Sequence, residues 1–221
     1  MNDTAKSILK NSITATVGLF LFAFGVFLTI RADIGVAPWD AFNLGLSSTL
    51  GIKYGTANIL VSMIIIVIDI AMREQIGIGM FLDAVLVGKF VDLFDFLNLI
   101  PYQKKTIMGV LVMTVGMFIM GFAQYFYMKA ALGCGPRDSL TVGLKRRTKK
   151  IPIGLVITAI LAVVTLVGWL LGGKIGIGTV IAALCEGPIM ELEFRFMRFD
   201  PTAIRHQNIS ESYKVLRKNG K

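Results

Sequence analysis

The stretch "DIGVAPWDAF" at residues 33–42 follows the first long apolar run of the chain and guides the interpretation of everything after it. A near copy, "ALGCGPRDSL", occupies residues 131–140. Both copies carry the pattern Gly-x-x-Pro-x-Asp. Its residues are Gly35, Pro38 and Asp40 in the first copy and Gly133, Pro136 and Asp138 in the second. Glycine and proline together predict a kink in the chain, and a kink that occurs twice suggests a duplicated unit.

The composition is that of a membrane protein. Of the 221 residues 55% are apolar and 17% charged, and the mean hydropathy is +0.71. A soluble domain of this length cannot bury so much apolar surface. Long apolar runs predict six spans, at 12–30, 56–72, 79–99, 106–128, 151–173 and 177–194.

The two motifs belong to a longer internal repeat. Residues 17–46 align with 115–144 without a gap, so that glycines, proline and aspartate coincide. Beyond one inserted residue the equivalent pairs are Gly55 and Gly154, Gly88 and Gly187, Asp92 and Glu191, and the two "IGIG" stretches at 76–79 and 175–178. We predict two membrane repeats, 1–103 and 104–198, followed by a basic cytoplasmic tail at 199–221.

Each repeat is predicted to be all-α, with three long transmembrane helices and one short broken helix. The short helices cover about 38–50 and 136–147, with Pro38 and Pro136 at the first helical position. Asp40 and Asp138 then fall in the first turn, where a carboxylate meets the positive end of the helix dipole.

The direction of the repeats depends on whether the short helices cross the bilayer. If they cross, the repeats are parallel. If they do not, the repeats are inverted, and we expect the basic run 145–150 on the outer side, against the positive-inside rule. We therefore predict parallel repeats, with both termini cytoplasmic.

The broken helices suggest a binding site, because free amides and helix ends in such kinks face a cavity in many transporters. The candidate ligands are Trp39, Asp40, Arg137 and Asp138 at the kinks, and Lys89 and Glu186 on long spans. The alternative is structural: aspartates that cap their own helices, Arg137 paired with Asp40, and a Lys89–Asp92 ion pair that closes the interior.

Nothing in the sequence predicts an enzyme, a cofactor or a metal site, since no catalytic or metal-ligating pattern occurs. The formal charge of +9 comes from bases between spans and in the tail, so we expect lipid contacts and no nucleic acid. A homodimer is plausible for so thin a bundle. The leading hypothesis is a permease for a small polar or anionic solute. The alternatives are a membrane accessory protein, which would assist another enzyme or a secretion system, and a lipid-handling protein.

The elements "IGVAPWD", "GCGPRD" and "IGIGT" resemble those of the YitT/YczE-type bacterial integral membrane proteins, over about residues 12–195. The resemblance implies a multi-pass protein of the bacterial cytoplasmic membrane. It implies no substrate, because the members of that family are mostly uncharacterised.

Overall fold

The computed structural model describes residues 3–200, with side chains from residue 9, and within this range every regular element is a helix. The predicted all-α class is confirmed. The eight described helices are α1 (Asp3–Arg31), α2 (Pro38–Leu50), α3 (Tyr54–Ala71), α4 (Ile78–Leu97), α5 (Thr106–Lys129), α6 (Pro136–Arg147), α7 (Ile153–Leu170) and α8 (Ile177–Phe196). Most of the predicted tail, residues 201–221, lies outside the described residues.

Four of these helices are long and apolar enough to cross a membrane: Leu9–Arg31, Tyr54–Ala71, Thr106–Lys129 and Ile153–Leu170. α4 and α8 have 20 residues each but carry more charged side chains. The two short helices occur where the sequence predicts them, each with its proline in the first turn. In both kinks the preceding glycine has a positive φ, 105° at Gly35 and 121° at Gly133, which side chains with a Cβ rarely adopt.

The centre of the fold is a close pair formed by α1 and α5, which run antiparallel. Gly18 lies against the backbone of Tyr127, and Gly25 lies against that of Gly116. Beyond the helix, Ala32 meets Gly109. Residue numbers rise along one helix as they fall along the other, so the two directions are opposite. The glycines allow this approach, since a Cβ on Gly25 would lie 2.4 Å from Met120.

Each kink inserts into the turn before the last helix of the other half. The amide of Gly178 donates to the carbonyl of Ile34, and the amide of Gly79 donates to the carbonyl of Leu132, both at 2.8 Å. The positive-φ glycines pack there as well, Gly35 against Gly176 and Gly133 against Gly77. The extended backbone of each kink is thus buried against protein and partly satisfied by it.

Both short helices return to the end of the bundle from which their segments start. Ile30, before the first kink, and Lys53, after α2, line one small cavity together with Tyr102. At the other end, Leu132 and Arg147 flank α6 in the chain, and both contact the turn between α3 and α4. α2 and α6 therefore do not traverse the bundle.

These directions correct the prediction of parallel repeats. Parallel units would require α1 and α5 to point the same way, and they do not. The positive-inside rule favoured parallel repeats because the number of long helices that cross before residues 145–150 was misjudged. Four long helices (α1, α3, α4 and α5) precede residues 145–150, which therefore lie at the end where α1 begins. We call this the basic end. The opposite end carries Arg31 and the loop 98–105, joined by the amide of Gln103 and the carbonyl of Arg31 at 3.0 Å.

The two halves differ most in the interface between their last two long helices. α3 packs on α4 so closely that a Cβ on Gly55 would lie 2.0 Å from the carbonyl oxygen of Gly88. The Gly55 amide also donates to Asp92 at 2.7 Å. α7 instead packs on α2 and α6 and makes no comparable contact with α8. Gly154 and Gly187, the counterparts of Gly55 and Gly88, face open space, with no atom within 4 Å of their Cβ positions.

Candidate functional site

All eight described helices line one cavity of about 560 Å³, inside the range of small-molecule sites. Its walls are formed mainly by the second half of α5, by α6, by the first half of α7 and by the middle of α8. The α5, α6 and α7 segments belong to the half of the bundle nearest the basic end. Gly187 is part of the wall, so the cavity adjoins the gap between α7 and α8.

Five of the six predicted ligand residues line this cavity: Trp39, Asp40, Arg137, Asp138 and Glu186. Lys89 does not. It lies on an exposed face of α4, outside the cavity, and it makes no ion pair with Asp92 within the described residues. Both predictions for Lys89 are therefore wrong. Asp92 is instead held by the amide of Gly55.

Asp40 forms the wall of the cavity that faces the opposite end. Only 4% of its surface is exposed, and its carboxylate accepts a hydrogen bond from the Tyr54 hydroxyl at 2.7 Å. Tyr54 also lines the small cavity next to Lys53 and Tyr102. This hydrogen bond therefore separates the main cavity from the smaller one.

Arg137 is held by neutral groups. Its Nη2 donates to Asn58 Oδ1 at 2.7 Å, and its guanidinium carbon lies 5.1 Å from the centre of the Trp39 ring. The same Asn58 oxygen accepts from Asn43 at 2.9 Å. Arg137 forms no ion pair within 4.0 Å with any carboxylate among residues 9–200, so the predicted pairing with Asp40 is wrong.

Two further carboxyl groups face each other across Gly135. Oxygens of Asp83 and Asp138 lie 2.8 Å and 3.6 Å from the position that a Cβ on Gly135 would take. Glu186 approaches the same space from α8, and the charges of Arg137 and Asp138 both act on it. Tyr127 completes this side. Its side chain is 4% exposed, and its hydroxyl has no hydrogen-bond partner in the described part of the chain.

The kink motifs did not reveal Tyr54, Asn58, Asp83 or Tyr127 as site residues. One available signal was Asn58 with Ser62, two polar side chains at i and i+4 of an apolar span, which share a helix face. Both line the cavity. To place Asp83 and Tyr127 in the site, one must know which helices pack against each other. The prediction of parallel repeats gave the wrong helix directions and therefore the wrong neighbours.

A multi-helix bundle with spans of membrane length and an internal cavity that contains several carboxyl groups defines a polytopic helical membrane protein. The chain belongs to the family of unknown function DUF6198, which it matches over residues 9–194. It is 33% identical over 179 residues to the uncharacterized membrane protein YczE of Bacillus subtilis, covering 78% of this chain and 80% of that protein. The YczE-type resemblance predicted from the motifs is thus confirmed.

Two further relatives cover most of the chain. An uncharacterized protein of Haemophilus influenzae is 26% identical over 181 residues, 80% of this chain and 82% of that one. The uncharacterized protein YyaS of Bacillus subtilis is 25% identical over 194 residues, 86% of this chain and 92% of that one. No solved structure matches the chain significantly.

Proposed function

We propose that this protein is a small-solute transporter in which two inverted repeats expose a central cavity alternately to the two sides of the membrane. The observation that carries the proposal is the unequal packing of equivalent glycine pairs, tight at Gly55 and Gly88 and open at Gly154 and Gly187. Two halves related by inversion that differ in this way correspond to a transporter closed at one end and open at the other.

The reciprocal kink contacts support the inverted arrangement. Ile34 and Leu132 are equivalent residues in the two repeats, and each accepts a hydrogen bond from an equivalent amide of the other half. Such exchange is expected of a duplicated unit whose copies pack about an axis in the membrane plane. The kinks then form the fixed centre, while α3–α4 and α7–α8 act as the two gates.

In the second state, α7 would close on α8 through Gly154 and Gly187, in the way that α3 now closes on α4. Glu191, the counterpart of Asp92, would accept a hydrogen bond from the Gly154 amide. It is exposed in the present state and pairs with Arg195 at 3.2 Å. At the opposite end, α3 would leave α4, and the Tyr54–Asp40 hydrogen bond would break to open the path.

The proposal can be tested without knowing the solute. In a background with Cys134→Ser and Cys185→Ser, the pair Ile153→Cys and Met190→Cys is treated with a short bismaleimide in native membranes. These positions are the counterparts of Tyr54 and Val91, which line one small cavity beside the closed α3–α4 contact, and they leave the glycine contact free of side chains. We expect a cross-link once α7 closes on α8. The matched pair Ile153→Cys and Leu192→Cys should not cross-link, because position 192 lies about 200° further round α8 than position 190.

Access to the cavity gives the second measurement. Thr141→Cys, in the cavity wall, is labelled with a membrane-impermeant maleimide in vesicles of either orientation. We expect labelling from both sides, and loss of labelling from the basic end once positions 153 and 190 are cross-linked. Labelling from one side only, or no cross-link, would contradict transport by alternating access and favour the accessory-protein alternative.

A further inference from the structure

We infer that the cavity binds a small organic cation, an ammonium group carrying a short apolar body. The inference rests on the proposed function and deepens it by naming a substrate class, a cation, in place of the anion that the sequence also suggested. It rests on the charges in the cavity, on one unsatisfied hydroxyl and on the character of the walls.

The ionisable groups of the cavity are mostly acidic. Asp40, Asp83, Asp138 and Glu186 all line it, against the single guanidinium of Arg137. Arg137 stays outside ion-pair distance of all four, bound instead to Asn58 and stacked near Trp39. Ionised carboxylates removed from bulk water need a positive partner, and one arginine cannot neutralise four of them. In that ionised form they would repel an anion that enters the cavity.

The hydroxyl of Tyr127 gives an independent indication of a missing ligand. The residue is nearly fully buried and lines the cavity, and its oxygen has no hydrogen-bond partner within residues 3–200. It interacts electrostatically with Asp83 and Asp138, so it adjoins the acidic side of the cavity. A buried hydroxyl without a partner is costly. An ammonium group placed between these carboxylates could donate a hydrogen bond to this oxygen as well.

The walls favour an organic cation over a metal ion. In the described part of the chain no three acidic, histidine or cysteine side chains come close enough together to hold a metal. The carboxyl groups are instead spread around a cavity with aliphatic and aromatic walls. The apolar lining residues include Leu19, Phe22, Val26, Val87, Met120 and Ile157. Such walls would contact the hydrocarbon part of the ligand.

Trp39 provides a direct reporter of binding. The sequence contains two tryptophans, and the other, Trp169, is 60% exposed outside the cavity. The detergent-solubilised Trp169→Phe protein is titrated with butylammonium chloride, sodium butyrate and butanol at constant ionic strength. We expect a saturable change of Trp39 fluorescence with butylammonium, and none with the anion or the neutral alcohol.

The carboxylate variants decide whether the acidic groups are responsible. Asp83→Asn and Glu186→Gln should each weaken butylammonium binding about tenfold, as expected for loss of one buried ionic contact. Asp95→Asn, at the opposite end and 58% exposed, should leave binding unchanged. Binding of butyrate, no saturable response to butylammonium, or equal affinity in all variants would overturn the inference. Melting curves identify any variant that fails to fold.

Negative results in the titration and in the cross-linking experiment refute different hypotheses. Equilibrium binding in detergent needs only the open state, whereas the cross-link and the two-sided labelling need no ligand. A protein that alternates but ignores butylammonium refutes the substrate class alone. A protein that binds butylammonium but never closes α7 on α8 refutes transport alone.

Discussion

At the scale of single residues, Asn58 organises the site. It is 3% exposed, and its side-chain oxygen accepts from both Arg137 and Asn43. A neutral acceptor fixes the direction of the guanidinium and leaves its charge uncompensated. That arrangement keeps the arginine available to balance the surrounding carboxylates, which an ion pair with one of them would prevent.

The Tyr54–Asp40 hydrogen bond gives the prediction at this scale. Tyr54→Phe keeps the ring and removes the donor, leaving a buried carboxylate without that hydrogen bond. We expect a loss of about 1–3 kcal/mol in stability, measured as a lower melting temperature in detergent. Tyr102→Phe is the control, because Tyr102 is 46% exposed and its ring contact with Arg31 does not need the hydroxyl. Equal melting temperatures for the two variants would count against a stabilising role for this contact.

The sequence was sufficient to predict the site residues at the kinks but not those on the long helices. Trp39, Asp40, Arg137 and Asp138 are joined to recognisable kinks, so local sequence was sufficient to select them. Lys89 looked equally functional, being a base within an apolar run, but it lies on an exposed face of α4. Which face of a helix points inward depends on its neighbours, and the apolar pattern of a membrane helix does not specify them.

At the scale of helices, the Gly55–Gly88 contact fixes α4 against α3, whereas the equivalent positions of α7 and α8 remain apart. Helix limits were predictable because proline and glycine mark them locally. Helix directions were not, because antiparallel and parallel pairs of apolar helices have the same composition. The equivalence of the two glycine pairs could be seen in the sequence, but their different packing could not.

Alanine substitutions in the two repeats measure that difference. A Cβ at position 55 would overlap the backbone of α4, so Gly55→Ala should cost about 1–3 kcal/mol. Gly154→Ala meets nothing within 4 Å and should leave the melting temperature equal to wild type or slightly higher. If both variants melt alike, α3 and α4 are not packed as closely as described.

At the scale of the whole molecule, six long helices run between the two ends of the bundle and the two short helices return to the end from which they start. α1 therefore begins and α8 ends at the basic end. Cytoplasmic termini stay a prediction, which the positive-inside rule supports through the basic run 145–150. Compared with parallel repeats, the loops at 51–53 and 98–105 move from the inner to the outer side, and the turn at 72–77 and the second kink at 130–135 move from the outer to the inner side.

Labelling with an impermeant maleimide distinguishes the topology of parallel repeats from that of inverted repeats. In the background without native cysteines, Lys53→Cys and Lys104→Cys should react from outside intact cells, and Lys149→Cys only after the membrane is opened. All three positions are exposed in the structure. Parallel repeats predict that all three are protected in intact cells, so reaction of Lys53→Cys from outside excludes that arrangement.

The exchange of kinks between the halves has a consequence for biosynthesis. While the first half is being inserted, the carbonyl of Ile34 lacks its donor until residue 178 has been translated. The turn at residues 76–79 likewise waits for Leu132. The first half therefore cannot reach the kink geometry of the folded protein before residues 132 and 178 have been made. A fragment that stops between the halves would lack both hydrogen bonds.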